Sequence, residues 1–447
     1  MTVTRSEIHR REKAKRKKRL RRLTAINLLM LGLLAVLIAV WLTMDESPSA
    51  SGGETAMQSA EPSADPSADP SPSADPSADP EASAAGGDED QPAGSESETP
   101  EETPGSDANG NDTGREPAAS DNPSAGGANA GEGGKTAHLA FVGDILLGAS
   151  VGDMIAEHGY DYPYKESKLY LSDPDIMAGN LEYPVTERGI PAENKTYVFK
   201  GSPDALPALR DSGIDIVSLA NNHTLDQGVE GLLDTMDHLD EAGIRHMGAG
   251  NDDTEAFAPA IMQANGLKVA YIGLSRVVPD VSWKADKNQA GVAETYDTTR
   301  AVAAIQNASE QADIVVVMVH WGEERSDEPL PYQRDFAKQY IDAGADLVIG
   351  SHPHVLQGFE TYKGKWIAYS LGNFIFSAYP KGKTGETGVL DAVCTKNGDC
   401  DLKFYPMSGD KAQPKPMEQP DAEALLARLT SISYGAKARK DGTLEAE

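Results

Sequence analysis

Cysteine is almost absent from this sequence: Cys394 and Cys400 are the only two in 447 residues. That scarcity excludes a metal site built only from thiolates. The pair flanks Asn397-Gly398, a typical hairpin turn. A two-residue turn would set the cysteines out of register, whereas a three-residue loop ending in Gly398 would set them opposite each other, close enough for a disulfide. We expect the disulfide, with a reduced pair as the alternative and a structural role in both cases.

Net positive charge is also missing, since the formal net charge is −30. This balance argues against nucleic acid as a partner. Much of the negative charge lies in residues 45–135, which consist mainly of Ser, Ala, Asp, Glu, Pro and Gly. Almost no large apolar side chain is present there, so burial cannot offset the entropy cost of ordering the chain. We predict a disordered acidic linker over 45–135.

One long hydrophobic run stands near the N-terminus. Residues 1–22 contain eleven Lys or Arg, and residues 23–44 are apolar and uncharged. The run is long enough to cross a membrane as a helix, and no small-residue cleavage pattern follows it. The basic flank predicts a single-pass protein of the cell membrane, with a cytoplasmic segment over 1–22 and a transmembrane anchor over 23–44. The rest of the chain is then extracellular. A cleaved signal peptide is the alternative.

The folded domain is predicted over residues 136–410, followed by a tail over 411–447 with a short helix and a frayed end. Apolar strand-like runs alternate with helical patterns over 227–242, 298–311 and 332–343. Hairpin patterns follow over 358–376 and 388–405. This order predicts a largely parallel α/β sheet with an antiparallel addition or a second sheet. Ligand sites in such sheets gather beyond the carboxyl ends of the strands.

Polar side chains follow five strand-like runs at the point where each run ends. The most conspicuous is His352-Pro353-His354, and an extended backbone there would direct both imidazoles to one side. Each residue alone has an ordinary explanation as a turn or cap. Five such ends at one edge of a sheet predict a metal site instead. The set comprises Asp144, Asn180, Glu182, Asn222, His223, His320, His352 and His354.

Mixed carboxylate, amide and imidazole ligands suit a divalent ion such as Mn²⁺, Zn²⁺ or Fe²⁺. They are too many for one tetrahedral zinc ion with an open position. We therefore expect one or two divalent ions, with Glu182 as the bridging carboxylate of a two-ion site that could activate water and neutralise an ester. His223 is the candidate for protonating a leaving group.

The order of these motifs resembles the capsule-synthesis CapA family of poly-γ-glutamate biosynthesis proteins. The resemblance covers residues 137–408 and includes Gly-Asp, Asn-Leu-Glu, Asn-Asn-His, His-Trp-Gly, Gly-Ser-His-Pro-His and Ser-Leu-Gly-Asn-Phe. That family is similar to calcineurin-like metallophosphoesterases. The resemblance implies a two-sheet sandwich flanked by helices, and His223 as the catalytic histidine. The implied metal ligands are Asp144, Glu182, Asn222, His320, His352 and His354.

The sequence departs from the phosphoesterase pattern at Leu146, where that superfamily usually has histidine. Its second carboxylate is also Glu182 within Asn-Leu-Glu rather than an aspartate after glycine. One of the two metal positions is therefore expected to be differently ligated or empty.

Three further residues are candidates with structural alternatives. Lys200 follows an aromatic strand and could meet an anionic substrate, or could be an exposed strand-end lysine. Glu324 could orient His320 from outside the ligand set, or could lie in a solvated acidic turn. Asn373 follows a glycine in a tight loop, where a backbone role is equally open.

The leading hypothesis is a membrane-anchored hydrolase acting on poly-γ-glutamate or a similar anionic polymer, at a phosphate or amide linkage. The resemblance implies that it works with membrane-bound subunits of a capsule synthase and exporter. The main alternative is a non-catalytic partner that binds the polymer in the same cleft and supports the synthase. A third reading, a wall-spanning spacer with a display head, explains the linker but not the converging ligands.

Overall fold

The computed structural model describes residues 134–193 and 195–447. The predicted basic segment, the transmembrane anchor and nearly all of the acidic linker lie outside the described residues. Within the described part of the chain, no helix is long and apolar enough to cross a membrane.

The first sheet has eight strands in the order β16-β15-β14-β1-β2-β3-β4, and β13 also pairs with β1. Strands β1 to β4 run parallel to one another, while β14 and β15 are antiparallel to their neighbours. The strands are β1 (Thr136–Ile145), β2 (Ile176–Leu181), β3 (Ile214–Ser218), β4 (Arg245–Met247), β13 (Asn373–Ile375), β14 (Glu386–Thr395), β15 (Cys400–Ser408) and β16 (Lys415–Pro416).

The second sheet has six strands in the order β11-β12-β10-β9-β7-β6. Its centre, formed by β7, β9, β10 and β12, is parallel, and the two edge strands are antiparallel to their neighbours. The strands are β6 (Ala260–Ala264), β7 (Leu267–Ser275), β9 (Ile314–His320), β10 (Leu347–Ser351), β11 (Phe359–Tyr362) and β12 (Lys365–Ala368). Two short pairs complete the strands: β5 (Ala249–Gly250) with β8 (Gly291–Val292), and β17 (Ala436–Ala438) with β18 (Leu444–Ala446).

The two sheets pack face to face, with helices on both outer faces. Along β1 the side chains alternate: Leu139 and Phe141 enter the core between the sheets, whereas Ala140 and Val142 enter the core under the outer helices. The predicted two-sheet sandwich flanked by helices is therefore confirmed. The helices are α1 (Ala149–His158), α2 (Lys168–Ser172), α3 (Leu206–Ser212), α4 (Gly228–Ala242), α5 (Asp253–Ala256), α6 (Thr299–Ser309), α7 (Pro331–Asp342) and α8 (Asp421–Ser431).

The two predicted hairpins differ in outcome. In β14 and β15, Cys394 lies opposite Cys400 and the two form a disulfide, with Cα atoms 4.0 Å apart. The hairpin expected over 358–376 is right only for β11 and β12. The chain then leaves the second sheet, and β13 crosses to pair with β1 of the first. Such a crossing leaves no local pattern in the sequence.

The C-terminal segment is part of the core rather than a tail. Helix α8 matches the predicted short helix, but the end expected to be frayed forms the β17–β18 pair. The side chains of Leu425, Leu426 and Leu429 lie in the core between the two sheets, together with Ala436 and Leu444. This segment therefore contributes to the cohesion of the sandwich.

Truncation of a buried side chain in α8 should reveal that contribution. Leu429 is fully buried, so Leu429→Ala should lower the free energy of unfolding by about 2–5 kcal/mol through lost burial and an unfilled cavity. Denaturant unfolding followed by circular dichroism measures the change.

Leu169→Ala is the matched control, because Leu169 in α2 is 83% exposed. That substitution should change the free energy of unfolding by less than about 0.5 kcal/mol. Equal effects of the two substitutions would contradict an integral role for the C-terminal segment.

Candidate metal centre

The carboxyl ends of strands from both sheets meet at one edge of the sandwich. On the first sheet Asp144 of β1 lies beside Asn180 of β2, and the Asn180 Nδ2 donates to Asp144 Oδ1 at 2.8 Å. On the second sheet His320 ends β9, and its Nε2 is 2.9 Å from Asn222 Oδ1, which follows β3. The structure thus brings the predicted strand-end residues of the two sheets together. The buried members are Asp144, Asn180, Glu182, Asn222, His223, His320 and His352.

The carboxylate and imidazole members form two overlapping triads that share Glu182. One triad is Glu182, His320 and His352, and the other is Asp144, Glu182 and His354. In each, the potential ligand atoms lie within 4.8 Å of one another. Glu182 Oε1 is 3.7 Å from both His320 Nε2 and His354 Nε2. Ligands about 2.1 Å from a tetrahedral ion lie roughly 3.4 Å apart, so this spacing fits one ion per triad with a shared carboxylate.

Three buried polar atoms at this site have no hydrogen-bond partner: Asp144 Oδ2, Glu182 Oε1 and His352 Nδ1. A buried polar group left unpaired costs about 1–3 kcal/mol. Asp144 Oδ2 does lie 3.2 Å from His354 Nδ1, but that nitrogen also faces Asn373 Oδ1 at the shorter distance of 2.9 Å. The unpaired atoms belong to both triads, and coordination of a divalent ion would satisfy them. The residues present therefore fit a metal centre.

Asn373 orients His354. The Asn373 side chain donates to two backbone carbonyls, those of His354 and Thr384. Its amide oxygen therefore faces His354 Nδ1 and accepts the proton of that nitrogen, which leaves Nε2 free to bind an ion. Asn373 was a candidate with a possible backbone role, and the structure shows a role for its side chain.

The two histidines of the His-Pro-His motif converge by a different route from the one expected. The backbone is not extended: φ is +96° at His352 and +58° at His354. Positive φ is uncommon outside glycine and typically costs about 1–3 kcal/mol. The loop follows β10, and at Gly350 in that strand a Cβ would lie 2.0 Å from the Tyr369 carbonyl oxygen. A tight loop against the neighbouring strand end, not strand alternation, therefore places both imidazoles at the site.

Burial sets the charge state of the cluster. Burial and the nearby Asp144 carboxylate raise the pKa of Glu182 well above its usual range. Burial lowers the pKa of His320 well below its usual range, and lowers the pKa of His352 to about 3. His354 differs: burial opposes its charge, but the Asp144 carboxylate raises its pKa overall. At neutral pH, His320 and His352 are therefore neutral imidazoles with lone pairs for a metal, whereas protons compete at Glu182 and His354.

His223 stands beside this cluster in a network of its own. Its Nδ1 is 2.7 Å from Asp226 Oδ2, and Asp226 is fully buried. Lys195 Nζ lies 2.9 Å from the same nitrogen, donates to the Asn222 carbonyl and contacts Asp226. Burial lowers the pKa of His223, and Asp226 opposes that change. Asp226 accepts the Nδ1 proton, so the Nε2 of a neutral His223 carries the lone pair.

Sequence reasoning missed Asp226 and Lys195. Asp226 follows His223 by three residues, a spacing that could have suggested a histidine–carboxylate pair. Lys195 lies in an irregular segment between β2 and α3. It does not follow a predicted strand, so the sequence pattern did not indicate it. Lys200 was considered instead, but it is exposed and its Nζ donates to the Glu187 carbonyl.

Two other expectations have clear outcomes. Glu324 does not orient His320, whose ring nitrogens face Ser351, Asn180 and Asn222. It instead lines a cavity of about 630 Å³ that reaches His223, His354 and Asn373. Leu146 is buried in the core under the outer helices of the first sheet and offers no ligand.

The fold and the cluster together define a class: a two-sheet α/β sandwich with a candidate metal centre at the carboxyl edge of its strands. The model of the bacterial capsule synthesis protein family PGA_cap matches residues 138–378. The chain belongs to this family, and the resemblance to CapA proteins is confirmed.

Curated relatives show how far the similarity extends. The chain is 32% identical over 317 residues to the capsule biosynthesis protein CapA of Bacillus anthracis, covering 69% of this chain and 76% of that protein. It is 33% identical over 314 residues to the PGA biosynthesis protein CapA of Bacillus subtilis, covering 68% of this chain and 80% of that protein. Among solved structures, the NAD nucleotidase of Haemophilus influenzae is 12% identical with a TM-score of 0.38, over 68% of this chain and 64% of that one. A TM-score this low supports no statement about activity.

Metal uptake should depend on pH in a defined direction. Binding requires Glu182 as a carboxylate and His354 with a free Nε2, and both groups have raised pKa values. Metal affinity should therefore be highest in mild alkali and should fall as the pH drops through these raised pKa values. Because the pKa of His354 is raised, the fall should begin above the ordinary histidine pKa of about 6.5. Calorimetric titration with Mn²⁺ or Zn²⁺ across this range measures the effect.

Glu182→Gln tests the shared ligand in the same assay. The amide keeps the size of the side chain but removes its charge, so stoichiometry and affinity should both fall. Unchanged metal content in this variant would contradict the bridging position of Glu182.

Proposed function

We propose that this protein is a metal-dependent hydrolase that cleaves poly-γ-glutamate or a similar anionic polymer during its synthesis, release or attachment. The observation that carries the proposal is the pair of carboxylate–imidazole triads, in which three buried atoms that could bind a metal have no hydrogen-bond partner. Next to the triads lies a histidine that a buried aspartate orients. The relatives, which are named for capsule and PGA biosynthesis, support the choice of polymer. Divalent ions held by the triads would supply polarisation of the scissile group and activation of a water.

His223 would act as the proton donor or acceptor. Its Nδ1 donates to Asp226 Oδ2, and it lines the same cavity as His354. A neutral histidine oriented in this way can accept a proton at Nε2 and then give it to a leaving amine or alcohol. Asp226 fixes the tautomer, and Lys195 compensates the buried charge of that carboxylate. Both are positioning residues in this proposal, because neither lines the cavity.

The cellular location is also part of the proposal. The basic residues 1–22 and the apolar residues 23–44 support a single-pass anchor with the folded domain outside the cell. The acidic linker would hold the domain away from the membrane, where a nascent polymer emerges from membrane-bound synthase and exporter subunits. Protease protection of a C-terminally tagged chain in intact cells tests this orientation.

The hydrolase proposal is tested with His223→Asn in full-length protein loaded with Mn²⁺ or Zn²⁺. Hydrolysis of γ-linked glutamate polymer should fall by about 10²–10⁴-fold, the usual contribution of a general acid. Metal content should stay unchanged, because His223 belongs to neither triad. His354→Ala should instead lose metal and activity together.

Wild-type protein that binds metal but turns over no amide, phosphodiester or ester substrate would overturn the hydrolase proposal. Capsule production that survives His223→Asn would point the same way, towards a polymer-binding partner of the synthase.

Asp226→Asn tests the positioning role. The amide cannot hold the same tautomer of His223, so kcat should fall by about 10²-fold or more while KM and metal content change little. The pH–rate profile should also shift, which loss of stability alone would not produce. Asp297→Asn, at an exposed position, is the matched control and should leave kcat unchanged.

A further inference from the structure

The cavity over the metal centre has aromatic walls. Phe199 stacks against Tyr197 with ring centroids 6.4 Å apart, and meets Phe376 edge to face at 6.0 Å. Phe376 also packs on the His354 ring at 4.5 Å. Tyr197 is 66% exposed and Tyr379 is 72% exposed, and both line the cavity. Large aromatic faces that stay exposed beside a site are surfaces for contact with a ligand.

Two cations line the same cavity. Among the described residues, Arg325 and Lys381 make no ion pair, whereas the neighbouring Lys383 and Arg428 both contact Asp327. The backbone of Arg325 is fixed, because its N–H donates to the Pro353 carbonyl at 2.8 Å. Arg325 is therefore tied to the His-Pro-His loop that supplies two candidate ligands.

The charge balance of the cavity favours an anion. Glu324 is the only carboxylate among the described residues that line it, and it is exposed. Two cations oppose that one negative charge. A ligand that carries carboxylates would find charge partners that the protein itself leaves unused.

We propose that Arg325 and Lys381 bind the pendant carboxylates of an acidic polyamide, while Tyr197 and Tyr379 stack on its planar amide groups. This assignment rests on the proposed function, and it names the amide as the linkage presented to His223. Arginine binds carboxylates through a planar fork, and lysine binds them as a point charge. A glycerol-phosphate chain offers charge but no planar groups for the tyrosine faces, so the aromatic walls favour the polyamide.

The test measures binding of a γ-linked glutamate oligomer to the full-length protein by calorimetry. Arg325→Gln and Lys381→Gln should each weaken binding by roughly threefold to tenfold, as expected for charge-assisted contacts at a partly exposed site. The double variant should also bind with a weaker dependence on salt concentration. Arg245→Gln and Lys415→Gln are matched controls at exposed positions outside the cavity lining, and they should bind like wild type.

A γ-linked isoglutamine oligomer, in which each α-carboxylate is replaced by an amide, separates the two kinds of contact. It keeps the amide planes but lacks the carboxylates, so its binding should be insensitive to Arg325→Gln and Lys381→Gln. Tyr197→Ala together with Tyr379→Ala should weaken both oligomers. Metal content should remain at the wild-type value in all these variants, which confirms that the site is intact.

Unchanged affinity for the glutamate oligomer in the Arg325/Lys381 double variant would overturn the assignment. Tighter binding of a glycerol-phosphate polymer, with the same loss in the double variant, would also overturn it. Failure of hydrolysis is a separate result: if wild type cleaves nothing but binding still depends on Arg325 and Lys381, this assignment stands and the hydrolase proposal falls.

Discussion

The buried carboxylate of Glu182 is the constraint on which the site depends. It is fully buried, its Oε1 has no hydrogen-bond partner, and it lies equally far from a histidine on β9 and a histidine after β10. An isolated charge in such a place is costly unless something of opposite charge compensates it. Both triads contain this carboxylate, and its Oε1 faces a histidine of each triad. The two halves of the candidate centre are therefore not independent. The chemistry proposed for the cleft follows from that shared ligand.

Close backbone packing against β1 lets the chain cross from the second sheet to the first at this site. A Cβ on Gly143 would lie 1.8 Å from the Gly372 carbonyl oxygen, and Asp144 N–H donates to that same oxygen at 2.9 Å. Glycine at position 143 therefore permits the segment that leads into β13 to cross from the second sheet to the first. That crossing sets Asn373 beside Asp144 in register. Asn373 therefore lies in a strand of the first sheet, while the histidine that it orients, His354, follows a strand of the second sheet.

Much of the sandwich could be predicted because its signals are local. The helical patterns over 227–242, 298–311 and 332–343 fall within two residues of α4, α6 and α7, since each shows an apolar stripe. The strand-end pattern also predicted Asp144, Glu182 and the three histidines of the triads, because the carboxyl ends of parallel strands lie at one edge of a sheet. Long-range events were not predictable in this way. The β13 crossing, the Lys195–Asp226 network and the positive φ values at His352 and His354 depend on contacts between segments far apart in the chain.

The position of α8 and the β17–β18 pair has a consequence for how the protein is made. These elements fill part of the core between the sheets, yet they follow every strand of both sheets in the chain. Asp144, by contrast, is made before any other member of the triads. A nascent chain therefore carries its ligands long before the packing that holds the two sheets together is complete. A chain that stops before α8 therefore lacks part of this core and leaves apolar surface between its sheets exposed, which favours aggregation and degradation.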